Sequence, residues 1–532
     1  MIIKSDCIFD SVQDKPFKGY LIIEKNKIIK IGKGDLEHEN LSNYGRLIDC
    51  GNKTVMPGFC DNHVHVFFGA LDMDTCNLDN TKSEEEAAEK LFNFVQEGKM
   101  NYEWVIAFGW SHYNWDRKEL PNKKTLDKFF PDRPVIAVND ELHALWVNSK
   151  ALEISGVDKN TKDPKYSTIK RDDEGNPTGY ILEQDAMRFF SDLSFNFGFE
   201  KDRCLVRKFA DRAKEKGVTS VGDMEIIGLI KTDVYKELEN NNELELRIFF
   251  SPSIKKNTQE LLKIKEQFHS DRLCFLGAKG FIDGTPLGHT GMVVDEYSDI
   301  PGFYGEPALD LDWLKDKISD LYKNDIPVRL HACGDGAVRA GLNYIECSQK
   351  KHGKKDVRNT IEHIENIHVE DLDRFAETDT IASIQPWHMV MDTFEDHPIF
   401  KILGEERSKL AWPGRTLQRH GARVAMGTDC PIVALEPFYT LHYAVNRVMD
   451  DGMPEGGWNP QEKFTISEAL KCYTIETAYL MGKEDKIGSL EKGKLADIII
   501  LDGNIFECDP LEIHGLKVEK TIFDGNLYEY DR

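Results

Sequence analysis

Between residues 58 and 429 eight short apolar segments recur with helical patterns between them, and this alternation narrows the choice of fold more than any other feature of the chain. The segments are "GFCDNHVH" at 58–65, "VTSVGDM" at 218–224, "LRIFFS" at 246–251, "FLGAKGFIDG" at 275–284, "IPVRLHA" at 326–332, "NTIEHI" at 359–364, "IASIQP" at 381–386 and "RVAMGTD" at 423–429. Helical stretches such as 202–216, ended by Gly217, and 311–323 lie in the gaps. Parallel strands need long crossovers, which helices supply. Eight such units predict an α/β fold with a (β/α)8 barrel of the TIM type.

The two ends read differently. "YLIIEKNKIIKIGKG" and "RLIDCGNKTVMP" near the start, and "KIGSLEKGKLADIIILDGN" and "KTIFDGNLYEY" near the finish, are short alternating strands cut by Gly, Asn and Asp turns. Neither end has enough apolar surface for its own core. Residues 1–54 with 485–532 are therefore expected to pack as one small β-sandwich domain, and residues 55–484 to form the barrel. A long insertion at about 70–200 follows the first barrel strand and is expected over the active-site face. It holds four of the eight tryptophans, Trp104, Trp110, Trp115 and Trp146, which either shape a substrate pocket or fill the insertion's own core.

With 532 residues, 40% of them hydrophobic, the chain has ample material for one large core and a smaller one. A formal net charge of -24 argues against nucleic acid, whose binders present basic stripes. No run approaches the roughly 18 apolar residues that span a bilayer, so no membrane partner is expected. The first residues lack the apolar core of a signal peptide. Eleven cysteines without a CxxC pair read as reduced thiols. A cytoplasmic protein acting on a small molecule is the expectation.

In an extended strand alternate side chains share a face, so Asp61, His63 and His65 of "TVMPGFCDNHVHVFFGA" project the same way. A (β/α)8 barrel carries its chemistry at the C-terminal ends of its strands. There the chain places His63 and His65, Lys279, His331, His363 and Asp429. Each alone has an ordinary explanation as a packed or turn residue. All six at one rim point to a divalent metal site. An ammonium would be repelled by such ions, so Lys279 must be neutral or altered. A neutral amine can add carbon dioxide and become a bridging carbamate.

The motifs "VMPGFCDNHVH", "KGFIDGTPLGHTG", "HACGDGAV", "IEHIE", "QPWH", "AWPGRTL", "MGTDCPIVALEPF" and "SLEKGKLADIIILD" resemble, in order, those of the amidohydrolase superfamily. The likeness is to its YtcJ-like branch of metal-dependent hydrolases, which includes N-substituted formamide deformylase. This resemblance implies a metal-bearing barrel and hydrolysis of non-peptide carbon–nitrogen bonds, usually with zinc, as one or two ions. It assigns His63, His65, Lys279, His331, His363 and Asp429 as ligands, and Glu183 in "GNPTGYILEQDAM" as ligand or substrate contact. Thr285-Pro286 and His289 depart from the usual pattern and bear on specificity. Cys60 and Cys430 flank ligands but point to the opposite face, as structural thiols would.

The mechanism expected is attack by a metal-activated hydroxide on an amide, formamide or cyclic amide. Asp429 serves as base and then acid, while His388 and His143 donate to the oxyanion. Trp387 and Trp412 suggest an apolar or aromatic group on the substrate. Two other readings stand: a mononuclear deaminase of an aminated heterocycle, and a non-catalytic scaffold, which would be expected to lack ligands. A homodimer is expected from the resemblance alone.

Overall fold

The computed structural model describes residues 1–36, 45–395 and 397–530, so parts of the expected 1–54 and 485–532 spans lie outside the described residues. The strand Thr54–Pro57 joins the two ends of the chain. It runs parallel to Ile2–Ile8, with Cys7 opposite Thr54, and antiparallel to Ile498–Leu501, with Ile498 opposite Pro57. Strands from both termini thus share one eight-stranded sheet. Alternation in "YLIIE" puts Leu21 and Ile23 on one face, where they join Ile3, Ile8, Val55, Ile498, Ile500 and Ile522 in a separate apolar core.

One glycine beyond Pro57 the first parallel strand begins. Phe59–Val64, Val218–Met224, Arg247–Ser251 and Leu273–Phe275 form a four-stranded parallel sheet. Ala278–Phe281, Val328–Ala332, Thr360–His363, Ile381–Ile384 and Val424–Met426 form a five-stranded one. The segment expected as a single strand at 275–284 is therefore two pieces in two sheets. Gly277, at φ 154°, separates them, and a Cβ there would stand 2.7 Å from the Pro327 carbonyl oxygen. The sheets adjoin twice. His65 N donates to Cys430 O at 2.8 Å and Asp429 N to His63 O at 2.7 Å, while Lys279 N donates to Pro252 O at 2.9 Å. Phe199–Glu215 and Leu311–Lys323 are helices as expected, the latter capped by Asp310, which accepts from Trp313 N.

The insertion has its own six-stranded sheet, ordered Thr168–Arg171, Pro177–Leu182, Ala144–Val147, Val135–Asn139, Val105–Trp110 and Cys76–Asn77. Its four tryptophans are all buried, and Trp110 lies 5.9 Å from Trp115 and 6.3 Å from Trp146. They lie in the main apolar core, which the insertion shares with the parallel strands. No helix among the described residues is long and apolar enough to cross a membrane.

Terminal sheet and parallel strands are tied by a buried ion network. Arg247 Nε and Nη2 donate to Asp497 at 2.6 and 3.0 Å, and Nη2 also to Asp524 at 3.1 Å. Removing Asp497 leaves the buried Arg247 with only Asp524 as a carboxylate partner. Asp497→Ala is expected to lower unfolding stability by about 3 kcal/mol, read as a shifted urea midpoint followed by circular dichroism.

Candidate metal centre and active site

Each strand end delivers its side chain to one buried cluster. His63 and His65 come from the end of Phe59–Val64, Lys279 from Ala278–Phe281, His331 from Val328–Ala332, and His363 from the last position of Thr360–His363. Asp429 follows Val424–Met426 by three residues. Ring centroids of His63 and His363 lie 4.9 Å apart, and those of His331 and His363 4.3 Å. Ligand atoms of His63, His363 and Asp429 fall within 4.8 Å of one another, as do those of His331, Cys333 and His363.

Protonation decides what this cluster can hold. His65 Nδ1 lies 2.7 Å from the Met224 carbonyl oxygen, which can only accept, so a ring hydrogen sits there and Nε2 is the nitrogen left to face the centre. His63 Nδ1 likewise faces the Glu362 carboxylate at 2.9 Å. Both Nε2 atoms face Asp429 Oδ1, at 3.1 Å for His65 and 3.5 Å for His63. With both rings neutral, as ligation requires, these are acceptors confronting an acceptor. Asp429 Oδ1 and His363 Nε2 have no hydrogen-bond partner among the described residues. Ligands about 2.0–2.1 Å from one tetrahedral ion stand about 3.3 Å apart, which matches this spacing. A divalent cation therefore fits the donor set. Burial, with Lys279 nearby, pushes His63 down to about 4 and holds His331 and His363 well below the usual histidine range, so the rings are neutral as ligation requires. Burial alone would raise Asp429, but His63 and His65 hold it well below the usual carboxylate range. Burial pushes the Lys279 amine down to about 8; its Nζ lies 3.2 Å from His63 Nε2.

Behind the candidate ligands stands a shell that the sequence reading missed. Burial would raise Glu362, yet the Arg329 guanidinium, 2.5 Å from it, and His63 hold it well below the carboxylate range. The rule that a ligating histidine donates its other nitrogen to a carboxylate singles out the buried acid in "IEHIE" as a candidate. Asp61 shares the face of His63 and His65 but lies deeper. It accepts from Thr428 N at 3.0 Å, Thr428 Oγ1 at 2.8 Å and Tyr473 Oη at 2.7 Å, bracing the turn that carries Asp429. Cys333 Sγ is 3.3 Å from His331 Nε2, which also lies 3.2 Å from Gly284 O. A hydrogen on Nε2 directed at that carbonyl leaves Nδ1 as the ligating nitrogen and puts the thiol beside the donor.

The insertion contributes His143, whose ring lies 5.7 Å from that of His331. Its Nδ1 is 3.1 Å from Glu183 Oε2. Burial would lower His143, but Glu183 and Glu141 push it up to about 9, so it is an imidazolium at neutral pH. Glu183 thus partners His143. His388 stacks on His363 at 6.0 Å, and its Nε2 is 4.0 Å from Asp429 Oδ2. His289 instead pairs with Asp299 at 3.0 Å and packs on Tyr297. Trp387 stacks on Tyr439 at 4.9 Å, and Trp412 packs against His397 and Trp458 in an aromatic cluster. Cys60 and Cys430 are buried, and burial pushes Cys60 up to about 12 and Cys430 well above the thiol range, so neither is a thiolate.

Residues 46–528 match the amidohydrolase family, and the chain belongs to it. Over 519 residues it is 28% identical to the protein LONG AFTER FAR-RED 3 of Arabidopsis thaliana, covering 95% of this chain and 88% of that one. It is 27% identical to YtcJ of Bacillus subtilis (strain 168), covering 97% and 94%. To the N-substituted formamide deformylase of Arthrobacter pascens it is again 27% identical, covering 91% and 90%. An uncharacterized metal-dependent hydrolase from Pyrococcus horikoshii OT3 superposes with a TM-score of 0.77 at 24% identity, covering 97% of this chain and 99% of that one. That likeness is one of fold.

Second partners of ligating histidines typically contribute about 10–100-fold in metal affinity. Glu362→Gln is expected to weaken zinc binding by that factor, measured by competition with a chromophoric chelator, while circular dichroism checks that the fold is kept.

Proposed function

We propose that this protein is a metal-dependent amidohydrolase that hydrolyses an amide, formamide or cyclic amide bond of a small molecule. The single observation that carries the reading is the convergence of His63 Nε2, His65 Nε2 and Asp429 Oδ1 within 3.5 Å, with each Nδ1 turned to an acceptor of its own. In this reading the parallel strands close as a (β/α)8 barrel along the Val64–Cys430 and Ser253–Lys279 contacts. Residues 55–484 are then the catalytic body, and 1–54 with 485–532 a separate β domain.

His63, His65 and Asp429 would hold one ion, and His331, His363 and a carbamate on Lys279 a second. Imidazole and carboxylate donors suit zinc. Such an ion supplies Lewis acidity and lowers the pKa of water toward about 7. Asp429, ionised despite burial, takes the proton of the attacking water and returns it to the departing nitrogen. His143, charged and reaching in from the insertion, donates to the oxygen on which negative charge develops, and His388 lies on the opposite flank. Glu183 holds His143 in place. Trp387, Trp412 and His289 are the residues assigned to the choice of substrate in this reading. A mononuclear deaminase of an aminated heterocycle is the second reading, using the same histidines and aspartate without a bridging lysine. Zinc-loaded protein assayed on N-formyl, N-acyl and cyclic amides beside aminated heterocycles separates the two: ammonia release from the heterocycles alone would replace the amidohydrolase reading.

Asp429→Asn is expected to lower kcat by about 10²–10⁴-fold, and an Asn variant of near normal turnover would refute the proton-transfer role. The His143 pKa is raised, so its charged form is complete below about 9 and lost above it. Turnover should therefore fall as pH rises through about 9, and His143→Gln should lower the plateau and abolish that limb.

A further inference from the structure

A narrow cleft opens to solvent beside Lys279 and Glu183. Its walls are the first turn of the helix Gln184–Ser194, the turn Ser253–Lys255 and Phe281, whose ring centroid is 4.9 Å from that of His331. The cleft thus borders the metal centre, sharing Lys279 with it.

Its hydrogen-bonding capacity is lopsided. The carboxylates that line it are already served. Glu225 receives Arg188 Nη2 at 2.9 Å, Asp185 receives Lys255 Nζ at 2.6 and 2.7 Å, and Glu183 pairs with His143. Two buried donors are left over: Arg188 Nε and Gln184 Nε2 have no partner among the described residues. An unmade bond on a buried donor costs its full desolvation, so both favour a ligand that brings acceptors. Arg188 offers a charge-assisted donor in the guanidinium plane, and Gln184 a second one for a neighbouring oxygen. A carboxylate presents two acceptor oxygens to them. A carboxamide presents one, and turns N–H against a donor.

We propose that this cleft is a subsite for a carboxylate on the substrate, held by Arg188 and Gln184, which makes N-formyl and N-acyl amino acids the substrate class. The inference rests on the amidohydrolase reading for the reacting bond, while the carboxylate contact stands on the cleft alone.

Calorimetric binding of N-formylglycine and of N-formylglycinamide to the zinc-loaded protein tests it; where either is turned over, the ratio is read as kcat/KM. The carboxylate is expected to bind about tenfold or more tightly than the amide, and that preference to shrink below about threefold in Arg188→Met and in Gln184→Leu. Arg188 also neutralises Glu225, so Gln184→Leu, which breaks no ion pair, decides the matter where Arg188→Met fails to fold. Equal binding of the two probes, absence of binding by both, or a preference that the folded variants keep would overturn the subsite. Hydrolysis without a carboxylate preference would do so and leave the amidohydrolase reading standing. A preference lost in the variants, without hydrolysis, would support the subsite and count against that reading.

Discussion

The Nε2 atoms of His63 and His65 face one carboxylate oxygen of Asp429 within 3.5 Å, in the interior, where ligation requires both rings to be neutral. Acceptors so placed repel, and burial removes the water that would screen them. Much of the surrounding structure keeps them there. The Met224 carbonyl and Glu362 fix the two tautomers, Arg329 keeps Glu362 ionised, and Asp61 with Tyr473 braces the turn below Asp429. The backbone shares the cost. His363, Ile364 and Asp429 have φ of 74°, 51° and 65°, a region that L-residues with a Cβ occupy at about 1–3 kcal/mol each. Strain and bare lone pairs coincide at one place, and a bound cation relieves the second of them.

The strand ends that supply this centre were legible in the sequence because period-two alternation and helical crossovers leave local signals. The segment 218–224 is the strand Val218–Met224, and 58–65 contains Phe59–Val64. Depth was not legible. Parity places Asp61, His63 and His65 on one face, but it is silent about how far down the strand each side chain lies, and Asp61 meets Thr428 rather than a metal position. The break at Gly277 was hidden for a similar reason: the close approach of the Pro327 carbonyl comes from a neighbouring strand some fifty residues on. Glu362 went unnoticed because its value lies in partners, His63 and Arg329, that only the fold brings to it.

The insertion shows how a second layer can serve a site built by the first. Its tryptophans consolidate its own sheet, which frees the turn at His143 and the end of Pro177–Leu182 to reach the centre as a rigid pair: Glu183 N donates to His143 O at 2.8 Å, and the two side chains meet as well. Glu183 takes φ 67° to do so, another strained residue at the same rim. A contact held by both backbone and side chain loses little freedom when it engages a substrate.

Charge state, finally, separates the histidines more than position does. His63, His331 and His363 are stripped of their protons by burial among neighbours that are themselves basic, whereas His143, partly buried beside them, keeps its proton because Glu183 and Glu141 face it. One residue type thus supplies lone pairs on one side of the pocket and a cation on the other. Moving a carboxylate across that pocket would exchange the roles: an acid beside His331 would give it a proton and spoil a ligand, and loss of Glu183 would leave His143 neutral, with one hydrogen in place of two. The division of labour is therefore written in the acids around the rings, which is why the glutamates, although they hold no ion in this arrangement, constrain the chemistry as tightly as the ligands do.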